Sequence, residues 1–100
     1  MKKIKDLTEH INDEICDAQH YAEDYVEKKV NGETSMASKY KEMATDELKH
    51  ATYLHDYAMD EIKKVQAAGI KVPAEMMEKW ENEHRKYVDK VAWVKQMLAL

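Results

Sequence analysis

The stretch Val30-Asn31-Gly32-Glu33-Thr34-Ser35 decides the fold, because it separates two long segments that contain neither glycine nor proline. An Asn-Gly pair is typical of a helix end, since both residue types tolerate the left-handed conformation that stops a helix. Thr34 or Ser35 can cap the helix that follows. We therefore predict one helix over about residues 4–30 and a second helix over about residues 35–68.

A third helix is predicted over about residues 73–98, after Gly69, and Pro73 can occupy its first turn. The chain of 100 residues has 2 glycines and 1 proline, whereas 36% of its residues are charged, which is typical of long helices. Apolar residues recur at spacings of three and four in each segment, so each helix should have one dry face. The predicted inward residues are Leu7, Ile11, Ile15, Ala18, Ala22 and Tyr25; Met36, Tyr40, Met43, Ala44, Ala51, Leu54, Ala58, Ile62 and Val65; and Met76, Trp80, Tyr87, Val91, Val94 and Leu98.

The predicted architecture is an all-α single domain over residues 1–100, a long antiparallel helical hairpin with a third helix. The net charge of -4 has both signs interspersed, so no basic stripe suits a nucleic acid. No stretch approaches the roughly 20 apolar residues of a membrane span, and the N-terminus does not resemble a signal peptide. We expect a cytoplasmic protein, and its single cysteine, Cys16, excludes a disulfide within one chain.

Three polar residues interrupt the predicted dry faces. Glu14 lies between Ile11 and Ala18 on the first helix, and Glu47 and His50 follow one another on the second. A carboxylate in a dry core costs several kcal/mol unless it is paired or binds a metal. The alternatives are a carboxylate–histidine hydrogen-bond network that holds no metal, and a face that is exposed rather than dry.

The three residues should also lie at similar heights in the hairpin. Counted from the middle of the turn, near position 32.5, Glu14 is 18.5 residues back, whereas His50 is 17.5 and Glu47 is 14.5 residues forward. At a rise of about 1.5 Å per residue, Glu14 and His50 differ in height by roughly 2 Å, and Glu47 is about one turn away. We predict that these three residues are metal ligands.

One chain offers too few ligands for two metals. Glu and His at positions i and i+3 share a helix face and can reach one cation, while a Glu from the neighbouring helix can bridge to a second. Two chains supply four Glu and two His, which is the ligand set of di-iron and di-manganese bundles. The sequence therefore predicts a homodimer, or a higher homo-oligomer, whose hairpins close a four-helix bundle core.

Two stretches resemble the first helix pair of the ferritin-like superfamily: Glu14-Ile-Cys-Asp-Ala-Gln-His-Tyr21 and Met43-Ala-Thr-Asp-Glu47-Leu-Lys-His50-Ala51. The resemblance covers roughly residues 7–65 and is closest to the rubrerythrin and encapsulated-ferritin branches. Those proteins have a first-helix Glu, a Tyr about seven residues later, and a Glu-x-x-His some thirty residues further on. The family's usual second hairpin is missing here, and encapsulated ferritins, which also lack it, complete the site by pairing subunits.

The resemblance implies a di-iron carboxylate site with two ions per dimer, with manganese or zinc as alternatives, and ferroxidase-type oxidoreductase chemistry driven by oxygen or peroxide. It places Tyr21 near the metal, but it does not place the third helix. The alternative is a non-enzymatic dimeric adaptor or assembly protein with a structural or vestigial metal site. That alternative rests on the third helix, where Trp80 and Trp93 are typical interface anchors.

Other histidines are predicted to lie outside the site. Glu81-x-x-His84 repeats the ligand spacing, but the height count places His84 roughly 10 Å from His50 along the helix axis, so we expect an edge or interface histidine. His10, His20 and His55 are expected at the surface or behind the ligands. Asp17 and Asp46 border the site and are candidates to orient a ligand by hydrogen bonding.

Overall fold

The structure, a computed structural model, describes residues 2–100 and contains three α-helices. Helix α1 spans Lys2–Val30, α2 spans Thr34–Ala67 and α3 spans Ala74–Leu98, and no strand occurs among these residues. The predicted all-α hairpin with a third helix is confirmed, and every helix end lies within two residues of its predicted position. The described chain is a rod of 56 × 18 × 18 Å. None of its helices has the length and apolar character of a membrane span.

A glycine with positive φ ends each of the first two helices, Gly32 at 77° and Gly69 at 75°. Beyond Gly32, the backbone N–H of Glu33 donates to the carbonyl of Lys28 at 2.9 Å, and beyond Gly69, Ile70 donates to Val65 at 3.1 Å. These bonds satisfy carbonyls that the helix itself leaves free. Both turns therefore follow from the positions of the chain's two glycines.

The predicted helix starts need correction. Glu33 rather than Thr34 or Ser35 precedes α2, and no side chain caps it, because α2 begins directly after the bond that Glu33 makes to α1. Pro73 lies just before α3, and its carbonyl accepts hydrogen bonds from Met76 and Met77.

A line of alanines forms the contact between α1 and α2. Ala37, Ala44, Ala51 and Ala58 recur at every seventh residue of α2, and each is at most 4% exposed. On α1 the buried residues alternate at spacings of four and three. They are Ile4, Thr8, Ile11, Ile15, Ala18, Ala22 and Tyr25. Because methyl side chains let helix backbones approach closely, this line brings the two long helices together over most of their length.

The inward face predicted for α2 was partly wrong, because alanines form the contact with α1. Met36 and Met43 were expected inside, but they are 41% and 40% exposed. Each methionine precedes an interface alanine by one residue, which rotates its side chain by about 100° around the helix. The long side chains therefore lie beside the α1–α2 contact rather than within it.

Helix α3 covers one flank of the hairpin and leaves the other uncovered. Trp80 belongs to the same buried cluster as Ile11, and Val94 belongs to the same buried cluster as Ile15. From α2, Thr52 and His55 reach α3. The other side of the alanine line, which we call the open flank, carries half-buried and exposed apolar residues. They are Leu7, Tyr21, Met36, Tyr40, Met43, Leu54 and Tyr57.

Replacing Ala51, which is 0% exposed, with leucine should force α1 and α2 apart. We expect Ala51→Leu to lower the free energy of unfolding by about 1–3 kcal/mol, as measured by urea denaturation followed by circular dichroism. The matched control is Ala92→Leu on the exposed side of α3, which should change stability by no more than about 0.5 kcal/mol. Equal effects of the two substitutions would contradict the close α1–α2 contact.

Candidate metal site

Glu14, Glu47 and His50 converge in the structure. One ligand atom from each residue can be chosen so that all three lie within 4.8 Å of one another. Nδ1 of His50 is 3.8 Å from Oε2 of Glu14 and 3.8 Å from Oε1 of Glu47. The convergence predicted from the height count is therefore present, while the role of these residues as metal ligands stays a prediction.

The cluster lies on the open flank rather than in a dry interior. The side chains of Glu14 and Glu47 are 19% and 23% exposed, and that of His50 is 54% exposed. At about 100° per residue, Glu47 and His50 fall on one side of the alanine line, and Thr52 falls on the other side with the α3 contacts. The helix faces that these residues interrupt were predicted to be dry, but within one chain they stay partly open at the cluster, because α3 packs on the opposite flank.

The three side chains suit a divalent cation of intermediate hardness. Two carboxylates and an imidazole are donors that iron, manganese and zinc accept. The carboxylates of Glu14 and Glu47 are mostly covered yet close together, so a bound cation would relieve their mutual repulsion. Three donors leave several coordination positions free for further ligands or for a reactant.

His10 is a neighbour of the cluster that the sequence analysis did not select. Its Nε2 lies 3.2 Å from Oε1 of Glu14, and its side chain is 56% exposed. The two carboxylate oxygens of Glu14 therefore face different histidines, His10 on one side and His50 on the other. The sequence signal was the spacing of four residues between His10 and Glu14, which places them on one face of α1.

The remaining candidates do not belong to the group of converging ligand atoms, which consists of Glu14, Glu47 and His50. Asp17, Asp46, His20 and Glu81 are exposed, and the ring of Tyr21 packs 6.3 Å from that of Tyr40. His84 forms a hydrogen-bonded pair with His55 on the flank covered by α3. This position, outside the cluster of Glu14, Glu47 and His50, agrees with the sequence analysis. The position expected for His55, at the surface or behind the ligands, was wrong, because its side chain is only 17% exposed and pairs with His84 on the other flank.

Comparison of the chain with family models, curated proteins and solved structures found no match. The resemblance to the ferritin-like superfamily therefore remains a prediction from the two quoted stretches.

Manganese should stabilise the folded protein through Glu14, Glu47 and His50. At a concentration about 100 times the dissociation constant, Mn²⁺ should add about 2.7 kcal/mol, which raises the melting temperature by roughly 10–20 °C. Glu47→Gln should remove this increase while leaving the metal-free protein at least as stable, because it removes one of two neighbouring negative charges. Differential scanning calorimetry with and without Mn²⁺ makes the comparison. Glu42→Gln, an exposed neighbour on α2, should keep the full increase; its loss there would contradict the site.

Proposed function

We propose that two copies of this chain form a ferritin-like di-iron site that oxidises ferrous iron with oxygen or peroxide. The observation that supports this proposal is the convergence of Glu14, Glu47 and His50 on a flank that α3 does not cover. We place this activity in the cytoplasm on the basis of the sequence analysis.

The donor count supports the dimer. One chain provides two carboxylates and one imidazole at the cluster, whereas a two-metal bundle site uses four carboxylates and two imidazoles. A two-fold axis through the open flank would supply the missing half, because each chain would present the same residues to the other. The apolar side chains on this flank, including Tyr40, Met43 and Leu54, would be buried by the same contact.

Each residue would have a defined task. In each chain Glu47 and His50, one turn apart on α2, would reach one ferrous ion together, and Glu14 would supply a further carboxylate from α1. Bound iron supplies one-electron chemistry with oxygen. As substrates, two ferrous ions lose one electron each, and dioxygen gains both electrons with two protons and leaves as hydrogen peroxide. His10, which contacts the second oxygen of Glu14, would keep that carboxylate oriented.

Ferrous iron oxidation tests the proposal directly. Iron is added to the protein without oxygen, air is admitted, and colour and oxygen uptake are followed. The wild type should react much faster than buffer and should bind two ions per pair of chains. Glu47→Ala should lose both properties, while Glu42→Ala should keep them. Unchanged iron content in Glu47→Ala would contradict the proposal.

A charge on the open flank should separate the subunits. Met43→Lys should shift the protein from dimer to monomer in analytical ultracentrifugation and should slow iron oxidation, while its circular dichroism spectrum stays helical. The reason is that two lysines would have to be buried near one two-fold axis. Val88→Lys on α3, which is 50% exposed in the wild type, is the control and should change neither mass nor rate. A monomeric wild type with full activity would contradict the shared site.

The second candidate function is a dimeric adaptor that keeps a structural or vestigial metal site. Trp93 favours it, because half of this large side chain is exposed on α3, whereas Trp80 is only 6% exposed and is buried within its own chain. The oxygen experiment separates the candidates, since an adaptor should bind metal without oxidising ferrous iron faster than buffer does.

A further inference from the structure

His55 on α2 and His84 on α3 face each other edge to edge. Nε2 of His55 lies 2.9 Å from Nδ1 of His84, although the ring centroids are 4.9 Å apart. The nearest atoms are therefore the two nitrogens. A hydrogen bond between them requires one N–H donor and one unprotonated acceptor, so at least one of the rings must be neutral.

The histidine pair carries much of the polar contact between α2 and α3. Within residues 2–100, the other polar contact between these helices joins the hydroxyls of Thr52 and Tyr87 at 3.3 Å. The remaining side-chain contacts of α3 with other helices include Lys79 with Glu9 and Lys90 with Cys16, both on α1. Weakening the histidine pair would therefore loosen α3 from α2 in particular.

The surroundings of the pair limit how a positive charge can be accommodated. The ring of His55 packs 4.7 Å from that of Tyr87 and 5.7 Å from that of Trp80, and His84 packs 5.9 Å from Trp80. Helix α1 presents only uncharged residues to this region. They are Thr8, Ile11, Asn12 and Ile15.

Two carboxylates lie nearby, one on α2 and one on α3. Oδ1 of Asp56 is 3.4 Å from Nδ1 of His55 but is largely solvated, and Glu83 lines the same region while pairing with Lys86 at 3.3 Å. Asp56 can support one protonated ring, His55. It does not reach the hydrogen bond itself, where a second proton would place two cations in contact.

We propose that the histidine pair is a pH-sensitive contact that holds α3 on the hairpin at neutral pH and releases it when both rings become protonated. The proposal is independent of metal binding. Acidification replaces the donor and acceptor with two donors of like charge, so the pair separates and Trp80 loses its cover.

The direction of the pH dependence follows from the environment of His84. Burial, together with positive charge on His55, lowers the pKa of His84 below its ordinary value of 6.5. The folded state thus resists a proton that the released state accepts. The contribution of the contact is complete above about pH 6.5 and is lost as the pH falls from there through the lowered pKa.

Tryptophan fluorescence and hydrogen exchange test the proposal on the metal-free full chain. In a Trp93→Phe background Trp80 is the only tryptophan. Its emission should shift to the red as the pH is lowered from about 7.5 to about 5. Amide exchange in α3, corrected for the intrinsic pH effect, should accelerate on acidification. The expected factor is about ten for each unit by which the pKa of His84 in the folded state lies below its pKa in the released state. Amides near the middle of α1 serve as the internal reference.

Variants separate this contact from the other histidines. His84→Gln keeps a hydrogen-bonding side chain without a proton to gain, so it should abolish both responses. His20→Gln, an exposed histidine on α1, should leave both unchanged. A full response in folded His84→Gln would overturn the proposal. Should that variant not fold, ring NMR titration of the wild type decides, and a pKa of His84 at or above its ordinary value would overturn the proposal.

Discussion

The close contact between α1 and α2 is the constraint on which the rest of the structure depends. With alanine at every seventh position of α2, the two helices meet along a line where almost no side-chain volume separates their backbones. Such a contact tolerates little rotation of either helix about its axis, since rotation would turn larger side chains such as Met43 or Leu48 towards α1. The line therefore determines which residues lie on each flank of the hairpin.

Because this contact fixes the rotation of each helix, the two flanks of the hairpin carry different functional side chains. Glu14, Glu47 and His50 meet on the open flank, and His55 is directed to the flank that α3 covers. His50 and His55 are only five residues apart, yet five residues correspond to a rotation of about 140° around the helix. One histidine is therefore available to a ligand or a second chain, while the other is enclosed by aromatic rings.

The sequence was most informative about positions that depend only on the rise of a continuous helix and on the location of the turn before it. Gly32 marks the turn, and counting residues from it placed Glu14 level with His50, because both helices are continuous from the turn to the cluster. The same count about the second turn, near position 70.5, puts His55 at 15.5 residues before it and His84 at 13.5 residues after it. Two residues of difference correspond to about 3 Å, so the same count puts His55 and His84 at nearly the same height.

The sequence was least informative about which flank α3 would cover. The periodicity of α2 allowed large and small apolar residues alike on its inward face, and only the packing shows that alanines occupy the contact while Met36 and Met43 border it. The flank chosen by α3 depends on matching surfaces of three helices at once. No spacing within a single helix encodes that match, which is why the exposure of His50 and the enclosure of His55 were not predicted.

Two features of the open flank cost free energy in the single chain. Its carboxylates, Glu14 and Glu47, lie close together beside histidines that carry a counter-charge only when protonated, and its apolar residues remain in contact with water. A metal ion alone would neutralise the two carboxylates but would leave the apolar residues in contact with water. A second chain alone would bury the apolar residues but would bring four carboxylates together, which is unfavourable without a cation. In the dimer that we propose, metal and partner together would remove both costs, so dimerisation and metal binding should be thermodynamically linked, each strengthening the other.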